Sequence, residues 1–204
     1  MNQIIMYVCG INFSRITMCD PSSPEYKKAF LAYLETFLTE ERLEKFDRIA
    51  RNRTRYVTVV LEDIYQAHNA SAVVRSCECF GIQDLYFIEN LYEYHISPDV
   101  TMGSTKWLNV NRYNKPDTDN TTACIMDLKE KGYRIYATTP HTHDCLIQDL
   151  PLTEKTALVF GTELEGISET ALKLADGFVR IPMYGFTESY NISVSAALCM
   201  FSMR

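Results

Sequence analysis

The polar residues able to do chemistry in this chain gather directly behind its apolar runs. Phe178 to Ile181 leads into Pro182-Met-Tyr-Gly185, then into Phe186-Thr-Glu-Ser-Tyr-Asn191 and a small-residue run with Ser193, Ser195, Ala196 and Ala197. A strand, a glycine turn and a polar helix start present backbone N–H groups to a ligand. Small residues let a second backbone come close. The stretch also reads as a buried C-terminal helix with an ordinary cap. Glu163 follows the apolar run Thr156–Phe160, inside Gly161-Thr-Glu-Leu-Glu-Gly166. Strand ends of this kind are where α/β proteins collect functional groups. The loop lacks the Lys-Ser/Thr of a P-loop. Asn69 and Arg75 stand at the start of a helical pattern, where Asn69 can cap and Arg75 can pair with Glu78. His141, His143, Asp144 and Cys145 could ligate zinc, but no second pair stands at a familiar spacing. They are read as a polar surface loop, with no metal expected.

The elements that must position these residues alternate. Tyr56–Leu61 is a continuous β-branched run, the pattern of a buried parallel strand. Helical spacing covers Ala70–Phe80, with Val73, Cys77 and Phe80 inward and Gly81 as the C-cap. Leu85–Ile88, Tyr133–Thr138, Thr156–Phe160 and Phe178–Ile181 read as further strands, Thr121–Lys131 and Ser168–Ala175 as helices. Residues 89–120 read as loop, with Gly103-Ser-Thr-Lys-Trp107 standing out within them. The class is α/β with a mostly parallel sheet. No G-x-G-x-x-G follows the first strand, so the usual dinucleotide fingerprint is missing.

Ahead of this domain, Asp20-Pro-Ser-Ser-Pro24 breaks the chain. Residues 1–24 form a poorly patterned leader and 25–55 a helical arm, leaving 56–204 as the main domain. Phe30, Leu31, Leu34, Phe37 and Leu38 recur helically, then Leu43, Phe46 and Ile49. Thr39 between them looks like an N-cap, so two short helices are predicted. Arg42, Lys45, Arg48, Arg51, Arg53 and Arg55 face only Glu44 and Asp47 across residues 42–55. Arg48, Arg51 and Arg55 share one helical face by spacing. Such a stripe suits phosphates, or it is a solvated face.

The chain has 204 residues, 47% of them hydrophobic, ample for one domain and an arm. Its formal charge of −6 argues against a broadly basic nucleic-acid coat but permits a local patch. Seven cysteines, odd in number and without paired spacing, read as reduced thiols of a cytoplasmic protein. Residues 4–13 are apolar but lack a basic start and a cleavage site. No run reaches membrane length.

Three stretches in order carry a resemblance. His68-Asn-Ala-Ser-Ala-Val-Val-Arg75, Leu158-Val-Phe-Gly-Thr-Glu163 with Gly166, and Ile181-Pro-Met-Tyr-Gly185 with Ser189-Tyr-Asn-Ile-Ser-Val-Ser195 are similar to the three motifs of the SpoU/TrmH branch of the SPOUT methyltransferases. Gly103-Ser-Thr-Lys-Trp107 resembles a further signature of that branch. The likeness covers about residues 40–204. It implies a SPOUT-type α/β sheet whose C-terminal segment threads a deep trefoil knot, an exception to the rule against threaded loops. It implies S-adenosylmethionine bound in the knot, a homodimer, and methyl transfer to a ribose 2'-hydroxyl of RNA, at a D-loop guanosine of tRNA. The same reaction on ribosomal RNA and a non-catalytic RNA-binding module are the alternatives. DNA, which lacks the hydroxyl, is not an expected substrate.

By resemblance Arg75 is the catalytic residue, either as a phosphate-assisted base or as a fixed cation that orients substrate. Its high intrinsic pKa favours the second role. Asn69 would hold it, Glu163 would orient Arg75 or the substrate across the dimer, and Ser189 and Asn191 would complete the active site. Thr138, Thr139, Gly161, Ile181, Met183 and Tyr190 would contact the cofactor, mostly through backbone. Tyr190 departs from the family's more usual leucine. The arm, with its basic stripe, would grip tRNA.

Overall fold

The structure is a computed structural model and describes residues 20–95, 97–140, 145–162 and 164–204. The described residues separate into two compact units, divided between Arg51 and Asn52. The first holds helices α1 (Pro24–Glu35) and α2 (Glu40–Arg51). Ser23 caps α1 by accepting the Tyr26 N–H, with Pro24 in the first turn, where its missing N–H costs nothing. Thr39 Oγ accepts the Arg42 N–H at 3.4 Å, giving α2 the separate start that the sequence predicts. The helix stops at Arg51, which corrects the single face expected for Arg48, Arg51 and Arg55. Thr54 is already bridged to Ile82, so the chain is extended before Arg55.

The second unit runs β1 (Val57–Glu62), α3 (Ala67–Cys79), β2 (Asp84–Ile88), α4 (Pro98–Thr101), β3 (Asn109–Tyr113), α5 (Asn120–Glu130), β4 (Tyr133–Thr138), β5 (Cys145–Leu146), β6 (Lys155–Phe160), α6 (Glu169–Leu174), β7 (Gly177–Arg180) and α7 (Ile192–Ser202). The seven strands form one sheet, ordered β3-β2-β1-β6-β4-β7-β5. Every strand pair in it is parallel. β1 is buried along its whole length, the continuous apolar pattern of a strand covered on both faces. Alternate residues divide between two cores. Val59, Leu61, Leu158 and Phe160 pack beneath α3 and α7 with Val73, Cys77, Ala196 and Met200. Val60, Ala157 and Val159 pack on the other face with Ile125, Leu128 and Ala171 of α5 and α6.

Two sequence expectations change. Residues 89–120 are not only loop: they contain α4, a 3-10 turn over Ser104–Trp107, and the edge strand β3. Asn109-Val-Asn-Arg-Tyr113 has no fully buried position, so it lacks the apolar signature of the inner strands. β1 extends one residue past the predicted run Tyr56–Leu61, to Glu62. Its carboxylate is 2% exposed. It accepts hydrogen bonds from the Thr121 hydroxyl (2.6 Å), the Ser168 hydroxyl (2.7 Å) and the Ser168 N–H (3.0 Å). One side chain thereby ties the end of β1 to the starts of α5 and α6. Glu62→Ala leaves these donors without their acceptor, and we expect it to cost about 2–3 kcal/mol of unfolding free energy in urea titrations.

Candidate functional site

Parallel α/β sheets bind ligands in the crevice beyond the carboxyl ends of their strands. In this chain β4, β6 and β7 end side by side, and the loops leaving them enclose a cavity of about 490 Å³. That volume lies within the ordinary range of small-molecule sites. Thr138, Thr139, Gly161, Ile181, Met183 and Tyr190, the residues expected to hold a cofactor, all line it. Ser189 and Asn191 line it too, with Ser195 and Cys199 of α7 behind them.

The walls are fixed by backbone bonds. Thr139 N–H donates to the Val179 carbonyl at 3.0 Å, joining the loop after β4 to β7. The Thr138 hydroxyl donates to the Val159 carbonyl at 2.8 Å, joining β4 to β6. The loop after β6 closes on itself: Thr162 N–H donates to the Gly166 carbonyl at 2.9 Å, and Gly166 N–H returns to the Thr162 carbonyl at 3.1 Å. A Cβ placed on Gly161 would lie 2.0 Å from the Gly166 oxygen, so only glycine fits there. Gly166 itself has φ +74°, a left-handed conformation that glycine adopts without strain.

α7 begins where the chain returns to the cleft. Asn191 is its N-cap: Oδ1 accepts from the Ser193 N–H at 2.9 Å and from its hydroxyl at 2.6 Å. The other end of the same amide donates through Nδ2 to Asn69 Oδ1 at 3.1 Å. Asn69 is 4% exposed and donates in turn to Gln66 Oε1 at 3.1 Å. Asn69 does not cap α3. That position belongs to Gln66, which makes no side-chain cap bond. The amide of Asn69 faces α7 instead, so the first and third motifs are in direct contact.

Arg75 lies six residues further along α3, about 9 Å at the helical rise. Its side chain is exposed. Glu78, the partner that helical spacing offers, instead faces Arg53 at 3.9 Å. Among the described residues no hydrogen bond or ion pair holds Arg75, so its cation is available at the surface. Glu163 lies outside the described residues, as do His141, His143 and Asp144 of the loop weighed for zinc. Among the described residues no cluster could hold a metal ion.

The basic stripe divides. Arg42, Lys45, Arg48 and Arg51 are exposed on α2, with Arg51 paired to Asp47 at 2.8 Å. Arg53 is turned inward: its side chain is 12% exposed and bonds Gln83 Oε1 at 2.9 Å and the Glu78 and Trp107 carbonyls. This removes it from the phosphate-binding set expected from sequence. Arg55 pairs with Asp84 at 2.9 Å while staying largely exposed.

Sequence reasoning missed three charged residues on the cleft wall, Arg180, Glu165 and Glu188. The signal for Arg180 was available, a cation inside the apolar run Phe178–Ile181. The thiol on the wall, Cys199, is pushed up to about 12 by burial, so it stays protonated and offers no nucleophile. The described residues include no helix long and apolar enough to cross a membrane.

Comparison with known proteins bears on the family and the fold. The family model described as the SpoU rRNA Methylase family matches residues 56–201. A tRNA (guanosine(18)-2'-O)-methyltransferase of Borreliella burgdorferi is 42% identical over 173 residues, 85% of this chain and 77% of that protein. Among solved structures, the A. aeolicus TrmH/SpoU tRNA modifying enzyme matches with a TM-score of 0.70 and 29% identity, over 80% of this chain and 81% of that one. The SpoU methyltransferase AviRb from Streptomyces viridochromogenes, solved with its cofactor AdoMet, shares the fold at a TM-score of 0.61 and 22% identity, over 74% of this chain and 57% of that one.

The Asn191 amide has two separable duties. Asn191→Ala removes the cap and the Asn69 contact together, at an expected cost of about 1–2 kcal/mol. Asn191→Asp keeps the cap oxygen and loses only the donor. Hydrogen exchange in the first turn of α7 should accelerate strongly in the alanine variant and little in the aspartate variant.

Proposed function

The chain belongs to the SpoU rRNA methylase family, and from that premise we propose that it transfers the methyl group of S-adenosylmethionine to a ribose 2'-hydroxyl of tRNA, at a D-loop guanosine. The observation that carries this reading is the cleft itself. Every residue assigned to the cofactor from sequence lines one cavity, next to Ser189 and Asn191.

The donor set suits that cofactor. Ile181, Met183 and Leu172 give apolar walls for an adenine ring, the strand-end backbone gives hydrogen-bonding groups for its edge, and Glu165 and Glu188 bring negative charge toward a sulfonium. When bound, S-adenosylmethionine supplies a methyl group on a positively charged sulfur, which leaves as a neutral thioether when the 2'-oxygen bonds to that carbon.

A ribose hydroxyl is a poor nucleophile until it is positioned and loses its proton. An arginine side chain carries donors and no acceptor, so Arg75 acts as a fixed cation. It holds the neighbouring phosphate and stabilises negative charge growing on the 2'-oxygen, whose proton passes to that phosphate or to water. Asn69 and Asn191 fix the start of α3 against the cleft, and Ser189 contacts the ribose from the rim. Glu163 orients Arg75 or the substrate from the partner subunit.

In the same reading residues 177–202 are the threaded segment of a trefoil knot. The space at Gly161, sufficient only for bare backbone, supports this. The dimer is supported by an apolar stripe left open on α7, where Val194, Leu198 and Phe201 are exposed at helical spacing. Arg42, Lys45, Arg48 and Arg51 of α2 grip tRNA, and Arg55 of the second unit contacts it separately. Free thiols at Cys77, Cys79, Cys124, Cys145 and Cys199 suit a cytoplasmic enzyme, as does a tRNA substrate. The family's description names ribosomal RNA, which keeps that substrate as the second reading. The named activity of the Borreliella relative favours tRNA.

The test is methyl transfer from labelled S-adenosylmethionine to unmodified tRNA and to ribosomal RNA, followed by mapping of the product. We expect a 2'-O-methylguanosine in the D-loop, and a loss of about 100-fold or more in Arg75→Ala with cofactor binding retained. Label on ribosomal RNA alone would establish the second reading. Cofactor binding without transfer to either RNA would reduce the chain to a binding module.

A further inference from the structure

Arg180 ends β7, within the cleft. Among the described residues it is the only cation on the cleft wall; Glu165 and Glu188 are its charged companions there. Its Nε is buried and makes no hydrogen bond among the described residues. Buried donors in folded proteins nearly always have an acceptor, and a guanidinium N–H has no use for burial without one. The neighbouring β7 residues leave no reason of packing for a cation at this place. Val179 fills the core under α7, and Phe178 and Ile181 are apolar. The missing acceptor therefore belongs to whatever occupies the cleft.

We infer that Arg180 binds the α-carboxylate of S-adenosylmethionine and so fixes which way round the cofactor lies. The inference rests on the cofactor reading above. Of the groups on that molecule, adenine and ribose are neutral and the sulfonium and α-amino groups are cationic. Only the carboxylate is an anion that a guanidinium can hold through two parallel N–H bonds. Glu165 and Glu188, acceptors on the same wall, suit the two cationic groups. An RNA phosphate is the other anion that could meet Arg180. The buried Nε disfavours it, because a polymer backbone would have to enter the space that the cofactor fills. A carboxylate carried into the cleft by the cofactor reaches that atom without displacing anything.

Binding titrations with S-adenosylmethionine and with its decarboxylated form test this, since the two ligands differ only in the carboxylate. Wild-type protein should bind the decarboxylated form about tenfold or more weakly, the usual strength of a charged hydrogen-bonded pair. Arg180→Met should weaken S-adenosylmethionine by a similar factor and leave the decarboxylated form within about twofold, so that the variant no longer distinguishes the ligands. Arg180→Lys should restore part of the discrimination. Equal weakening of both ligands would mean that Arg180 only supports the cleft, and would overturn the inference. So would unchanged cofactor binding with a raised KM for tRNA, which would assign Arg180 to a phosphate. Wild-type protein that binds neither ligand would overturn the cofactor reading itself, and this inference with it.

Discussion

The second unit depends on the contact between two side-chain amides, Asn69 and Asn191. An asparagine offers an acceptor and a donor at opposite ends of one rigid plane. Asn191 uses the acceptor to start α7 and the donor to reach α3. Residues 122 apart in the chain are thus held at 3.1 Å, and Asn69 is almost fully buried at that point. A buried amide left without partners would be costly, so the two helices cannot separate cheaply. The interaction sets α3, and with it Arg75, against the loop that carries Ser189. Behind it, Cys77 meets Met200 at 3.7 Å, so the two helices are also joined through the apolar core.

The remaining constraints act on the same place from below. β4 pairs with both β6 and β7 in the sheet, although neither is the next strand after it in the chain. Thr138 ties the end of β4 to β6, Thr139 ties the following loop to β7, and Gly161 lets the loop after β6 close on itself. Glu62 secures the opposite face, joining β1 to α5 and α6. A site assembled from three such loops needs each strand to end at the right depth. Glycine at 161 and the left-handed turn at Gly166 provide that for the tightest loop.

Much of this was legible in the sequence. The inner strands announce themselves as unbroken apolar runs because both their faces are covered, and β4 begins and ends where the pattern says it does. The two helices of the first unit follow from Thr39. The motif residues were readable as a set, and the cleft gathers the residues expected to hold a cofactor with Ser189 and Asn191. What escaped was decided by tertiary partners. β3 has too few apolar residues to show itself, being half-exposed at the sheet edge. Arg53 looked like its basic neighbours, yet Gln83 and Trp107, distant in sequence, claim its guanidinium. Asn69 had the right type and place for a cap, but its partner lies far along the chain. Charge position likewise outweighs charge total. The chain carries −6 overall, yet exposed cations stand along α2 and at Arg75, and Arg180 lines the cleft.

The most direct test of the central claim is a crystal structure of the protein with S-adenosylhomocysteine. The account predicts adenine enclosed by residues 138–140, 161–167 and 181–190, with the thioether sulfur turned toward Ser189 and the Asn69–Asn191 pair. A ligand bound elsewhere on the sheet, or a cleft still empty at saturating ligand, would contradict it.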